Sequence, residues 1–155
     1  MRADSLNQNS ASYGQQYQES KVNLLTSATE SLTASQSGQT FVFSKADGVV
    51  VTLPPCEIGL EYDFIVGTTG SAALQIATST TTELFAGGAM LVDPATATDM
   101  NYFAADQSND DTIDLGAIEQ GWLTGGVIHL KCTTATRWHC EATLIGDATL
   151  ATPFE

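Results

Sequence analysis

Three short runs of alternating apolar residues lie within residues 32–66, LTASQSGQTFVFSKADGVVVTLPPCEIGLEYDFIV, and turn-forming residues separate them. A period of two gives a β-strand one apolar face. No other feature of the chain constrains its fold as strongly, because each run is too short and too regular to be helical. The apolar positions of the three runs are Phe41 and Phe43; Val49, Val51 and Leu53; and Leu60, Tyr62, Phe64 and Val66.

The residues between these runs predict how the strands connect. Asp47-Gly48 predicts a hairpin between the first two runs, because glycine tolerates the positive φ of a tight turn. Pro54-Pro55 ends the strand before it, since neither residue can donate a ladder hydrogen bond. Many short strands favour an all-β domain, an antiparallel β-sandwich or barrel of jelly-roll type, over βαβ units. The later predicted strands are residues 73–77, 83–85, 90–92, 101–104, 112–115, 127–132 and 138–145.

The last two of these strands predict a hairpin with a definite register. Pairing Cys132 with Trp138 collects the apolar positions on one face, whereas a slip of one residue would mix the two faces. Residues 133–137 then form a five-residue loop, and Trp138 is a core anchor. The opposite face of this hairpin carries His129, Lys131, His139 and Glu141, with His129 near Glu141.

Two cysteines and two histidines in this hairpin have the residue types of a zinc site. The register places His129 and His139 on the face opposite Cys132 and Cys140, so the four cannot surround one ion. We therefore predict no metal and no cofactor, and we interpret the cysteines as small buried hydrophobes. Because the N-terminus has no secretory signal, Cys56 and the other two are expected to be reduced thiols made in a cytoplasm.

Residues 106–114, DQSNDDTID, are the other candidate for chemistry. Clustered carboxylates suit Ca²⁺, but Asp111 stands where an EF-hand loop has glycine and Ala117 where it has glutamate. A solvated acidic loop is the simpler interpretation. Trp122 is either a core residue or an exposed aromatic at an interface. Since no nucleophile motif or phosphate-binding loop is present, we predict that the protein is not an enzyme.

Charge and composition divide the chain in two. Eighteen acidic and five basic residues give a net charge of −13, which disfavours nucleic acid and anionic membranes as partners. Residues 1–36 carry a net charge of only −1. We predict a flexible or extended N-terminal arm over residues 1–22 and a single β domain over residues 23–155.

The arm contains few sizeable apolar groups, and they suggest two interpretations. In one, residues 22–25 begin the first strand and the tyrosines are disordered. In the other, the arm becomes ordered on a partner, with aromatic side chains as anchors. The candidate partner-binding residues are Tyr13, Tyr17, Val22, Leu24 and Leu25, together with Trp122 if it is exposed.

Several of these motifs resemble those of a known class of viral proteins. L-T-x-x-x-S-G-x-T-F at residues 32–41, V-x-L-P at 51–54, G-L-x-Y-x-F-I-V at 59–66 and the hairpin at 125–142 carry the resemblance. Together they resemble capsid decoration (cement) proteins of tailed bacteriophages, or related small β domains of phage structural proteins. The resemblance covers about residues 32–146.

The resemblance implies a function that the residues alone do not indicate. It implies a non-enzymatic virion protein, made in the host bacterial cytoplasm, that stabilises the outer capsid surface. The implied partners are the major capsid protein and two further copies in a homotrimer. The alternative is a tail or fibre module that binds a receptor or carbohydrate, for which residues 106–114 and Trp122 are the candidate place.

Overall fold

A computed structural model describes residues 22–96 and 99–155. This part of the chain is all-β, as predicted, and its two helices are single 3₁₀ turns, Ala34–Gln36 and Ile118–Gln120. The strands are β1 (Val22–Leu25), β2 (Thr29–Ser31), β3 (Gln39–Phe43), β4 (Val49–Thr52), β5 (Glu61–Val66), β6 (Leu74–Ala77), β7 (Leu84–Val92), β8 (Met100–Ala104), β9 (Thr112–Asp114), β10 (Val127–Thr134) and β11 (Arg137–Ile145).

The strands form two mixed sheets that do not close into a barrel. The larger sheet has seven strands in the order β1-β3-β5-β10-β11-β7-β8, and the smaller has four in the order β2-β4-β6-β9. Five of the nine strand pairings are parallel. The sheets are therefore mixed and not antiparallel as predicted, and a jelly roll is not confirmed.

Four of the five parallel pairs arise because the first six strands alternate between the sheets, and the fifth joins β7 and β11. β1, β3 and β5 lie side by side in the larger sheet, while β2, β4 and β6 lie side by side in the smaller one. The chain thus crosses between the sheets five times from Val22 to Ala77, which is two and a half turns around the core. Asp47-Gly48 is a corner between two sheets, not a hairpin turn, although Gly48 does have a positive φ of 101°.

One apolar core joins the inward faces of both sheets. Phe41, Phe64 and Trp138 come from the larger sheet and Val51 and Ile76 from the smaller, and all are at least 99% buried. Aromatic rings pack in sequence along the larger sheet, with centroids 5.7 Å apart for Phe41–Phe64. Trp138 is confirmed as a core anchor.

The register predicted for the last hairpin is also confirmed. Cys132 pairs with Trp138, and the apolar positions before and after them pair as expected. The loop prediction was wrong, because both strands extend further and a register shift lies between Cys132 and Thr134. Only Ala135 and Thr136 lie between β10 and β11.

β7 is one strand of nine residues that joins two strands predicted separately, residues 83–85 and 90–92. It continues through Gly87 and Gly88, which lie between those two predicted strands. A Cβ atom at Gly87 would fall against the carbonyl oxygen of Cys140, and one at Gly88 against that of Phe103. These glycines therefore permit close packing of β7 against both of its neighbours.

Candidate interaction surface

The outward face of the seven-stranded sheet carries a continuous line of mostly apolar residues, here called the apolar row. The strand registers place its members side by side from one edge of the sheet to the other. They are, in order, Leu24, Val42, Ile65, Val127, Thr143, Met90 and Tyr102. The row therefore crosses all seven strands and ends at an exposed residue on each edge.

Charged side chains of both signs lie beside the apolar row. His129 Nδ1 lies 2.5 Å from Asp63 Oδ1. Lys131 Nζ lies 3.4 Å from Glu61 Oε2. His129 faces Glu141 across the strands, as predicted, but its hydrogen bond is to Asp63. These partly exposed pairs contribute little to stability, about 0–1 kcal/mol each.

A shallow depression of about 450 Å³ lies over the centre of this face. Thr40, Asp63, His129 and Glu141 line one part of it, and Val127 lines another. A carboxylate on Nδ1 orients an imidazole as a general base would require. Among residues 22–96 and 99–155, no hydroxyl or thiol is hydrogen-bonded to His129.

β1 is one edge strand of the larger sheet, and it contains three of the candidate partner-binding residues. Val22 and Leu24 are 59% and 63% exposed on the outward face. Leu25 is only 3% exposed and belongs to the core, so its assignment as a partner-binding residue was wrong. The alternation of β1 explains the difference, because neighbouring residues point to opposite faces. Tyr13 and Tyr17 lie outside the described residues.

β8 is the opposite edge strand, and the sequence did not identify it as a surface. Met100 and Tyr102 are 60% and 62% exposed. Neither β1 (VNLL) nor β8 (MNYFA) contains a charged residue or a proline. A strand prediction over residues 101–104 was available, but position at a sheet edge depends on pairings that the local pattern does not contain.

Trp122 packs against the core from a loop and makes an isolated bridge with Ile145. Its Cβ and ring lie where a side chain at Gly70 would be, about 3.2 Å from a Cβ placed there. Its indole nitrogen is buried and has no hydrogen-bond partner among the described residues. Of the two interpretations of Trp122, this contact favours the core residue.

The acidic segment at residues 106–114 uses its carboxylates internally. Asp106 accepts hydrogen bonds from the Asn109 side chain and, with a smaller effect, from the Ser108 amide, and these lower its pKa. Asp110 accepts one from the Asp106 amide, and Asp114 accepts one from Gln75. Within the described residues, no group of three or more His, Cys, Asp or Glu side chains is arranged to hold a metal ion.

The three cysteines are free thiols whose surroundings suppress ionisation. Burial raises the pKa of Cys140 to about 12. Burial is also the main reason why the pKa values of Cys56 and Cys132 are raised, and these two thiols contact each other. Because the thiolate is the reactive species, none of the three is suited to nucleophilic chemistry near neutral pH.

Comparisons with known proteins do not assign the chain to a family. A scan against protein-family models finds no match, and no curated protein is significantly similar to it. In the part of the chain that the structure describes, neither helix has the length and hydropathy needed to cross a membrane.

Proposed function

We propose that this chain is a non-enzymatic structural protein of a phage virion that binds the outer capsid surface. It is made in the host bacterial cytoplasm, acts as a homotrimer and has the major capsid protein as its partner. The observation that carries the proposal is the position of β1 at an edge of the larger sheet, so that the arm joins the domain at that edge. A β-sandwich formed by the two sheets provides the rigid body from which the arm extends.

The charge distribution supports an exterior position. Residues 1–21 hold two basic and two acidic side chains, so the whole net charge of −13 falls on residues 22–155. A neutral arm can lie across neighbouring capsid subunits while the acidic body faces solvent, away from packaged DNA. Each arm contact is modest, but a trimer engages several subunits at once, which multiplies the affinity through effective concentration. Such contacts would oppose the outward pressure of the genome.

Deletion of residues 1–21 tests the role of the arm. We expect the truncated protein to keep its melting temperature, because the described core lies in residues 22–155. Its affinity for capsids lacking the protein should fall at least tenfold, equivalent to about 1.4 kcal/mol of lost binding energy. Co-sedimentation of purified protein with such capsids measures this change.

Two matched variants complete the experiment. Replacing Tyr13 and Tyr17 together by alanine should reproduce much of the loss, because aromatic side chains dominate interface energies. Replacing Ile58 by alanine should leave binding unchanged, because this apolar residue is 77% exposed but lies in the loop between β4 and β5. Full binding by the truncated protein would reject the arm as the capsid-binding segment.

The depression on the outward face favours a second candidate function, a tail or fibre module that binds a receptor or carbohydrate. Its hydroxyl, carboxylate and imidazole groups could bind sugar hydroxyls, and Val127 could contact a sugar ring. In that case Asp63→Asn should abolish binding to a glycan array. Fractionation of disrupted virions separates the two functions, since a decoration protein stays with empty heads and a fibre module with tails.

A further inference from the structure

Within residues 22–96 and 99–155, no further strand pairs with either edge of the seven-stranded sheet, an arrangement that natural sheets usually avoid. Edge strands are commonly protected by charged residues, prolines or bulges, because an open edge can pair with another chain. β1 and β8 have no charged residue and no proline, and each exposes two large apolar side chains. On a chain with a net charge of −13, uncharged strands are also where two copies repel each other least.

The backbone geometry shows which groups each edge presents. Backbone groups of successive strand residues point to alternate sides of a strand. The Leu25 carbonyl accepts a hydrogen bond from the Ser44 amide, so the backbone N–H and C=O groups of Leu25 point toward β3. The backbone groups of Val22 and Leu24 therefore point the other way, out from the edge of the sheet. At the other edge, the Ala105 amide donates to the Gly87 carbonyl, so the backbone groups of Ala105 point toward β7. Those of Tyr102 therefore point out from the edge of the sheet.

The directions of the two edge strands are complementary. β1, β3 and β5 run in one direction, and β10 beside them runs in the opposite direction. β11 and β7 again run in the direction of β1, and β8, antiparallel to β7, runs in the opposite direction. β1 and β8 therefore run in opposite directions. A second copy that continues the sheet places its β1 antiparallel to β8 of the first copy, so that both can form a regular antiparallel ladder.

We infer that copies of this chain associate head to tail through β8 of one copy and β1 of the next. Tyr102 pairs with Leu24 of the second copy, and Ala104 pairs with its Val22. In both pairs the backbone N–H and C=O groups point toward the other copy, in the plane of the sheet. The side chains lie on the solvent face of the sheet, so the apolar row continues from one copy to the next. Such a heterologous contact closes into a ring when the rotation permits. The inference deepens the proposed homotrimer by naming its contact, and it places the start of each arm at a junction between copies.

Charge substitutions at the paired positions test this contact. Sedimentation of the wild-type protein alone should show an oligomer. Leu24→Glu and Tyr102→Lys should each shift it to a 16.3 kDa monomer, because each places a single charge in an apolar pair. The double variant L24E/Y102K should restore the oligomer, since opposite charges then face each other across every junction.

Two control variants make the result specific to the edges. Ile58→Glu adds the same charge at an exposed loop position, and Val127→Glu adds it in the apolar row at the centre of the face. Both should remain oligomeric, with circular dichroism spectra like that of the wild type. A monomeric wild-type protein would overturn the inference. So would edge variants that stay oligomeric, a double variant that stays monomeric, or dissociation by Val127→Glu alone.

These outcomes are separate from those that test capsid binding. Self-association is measured on the free protein, without capsids. A protein that forms the β8–β1 oligomer but does not bind capsids would retain this inference and reject the proposed function. A protein that binds capsids through its arm as a monomer would reject the β8–β1 contact and retain capsid binding.

Discussion

Glu83 is a carboxylate that is only 7% exposed, and it joins two loops. Its Oε1 accepts a hydrogen bond from the Cys56 amide at 2.8 Å, and its Oε2 accepts one from the Ser79 hydroxyl at 2.9 Å. It thereby fastens the loop that follows Pro54-Pro55 to the loop that precedes β7. A buried polar group is tolerated where its partners satisfy it, as they do here. No sequence pattern indicated this role, because the two loops are distant along the chain.

Glu83→Ala should lower the free energy of unfolding by about 1–3 kcal/mol, because it leaves a buried amide and a hydroxyl unpaired. Glu83→Gln should cost clearly less. Its amide oxygen can still accept from Cys56, and its amide nitrogen can donate to the Ser79 oxygen. Urea denaturation of both variants measures the difference, and equal losses would show that the negative charge, not the hydrogen bonds, holds the loops.

At the scale of single elements, alternation predicted most strands and one complete register. Cys132 opposite Trp138 was predictable because both strands alternate strictly and only one register separates the faces. β7 was not, because glycine is as common in turns as at points of close backbone approach. The difference between these roles lies in the neighbouring strands, and residues 86–88 carry no sign of them. Val22 and Leu24, which the structure shows to be exposed, were candidates from the sequence, whereas β8 was not.

Gly87→Ala and Gly59→Ala distinguish two reasons for glycine, a positive φ and the close approach of a neighbouring strand. Both have nearly the same φ, 96° and 98°, but a Cβ at Gly59 would meet nothing within 4 Å. Gly59→Ala should therefore cost only the backbone strain, about 1–2 kcal/mol. Gly87→Ala should cost more, because its methyl group would also push the Cys140 carbonyl and separate β7 from β11. Thermal denaturation compares them, and equal shifts in melting temperature would contradict close packing at β7.

The architecture of the whole molecule depends on pairings between distant segments. Each turn around the core places a strand beside one from the previous turn, as when Thr40 pairs with Val22 and Asp63 with Thr40. The local signal at Asp47-Gly48 is the same for a hairpin and for a corner between sheets, so the sequence could not distinguish antiparallel neighbours from parallel turns. What decides between them is burial of both apolar faces in one core, which is a property of the complete fold.

This topology should make folding slow for a chain of this size. Parallel pairing requires long loops to close before contacts form, and proteins dominated by such non-local contacts fold in milliseconds to seconds. Stopped-flow fluorescence of Trp138, in a Trp122→Phe background, should follow this step directly because Trp138 is fully buried. Brief unfolding before refolding keeps prolyl isomerisation from contributing a separate phase. Folding in microseconds would mean that local hairpins, not the winding of β1–β6 between the sheets, determine the transition state.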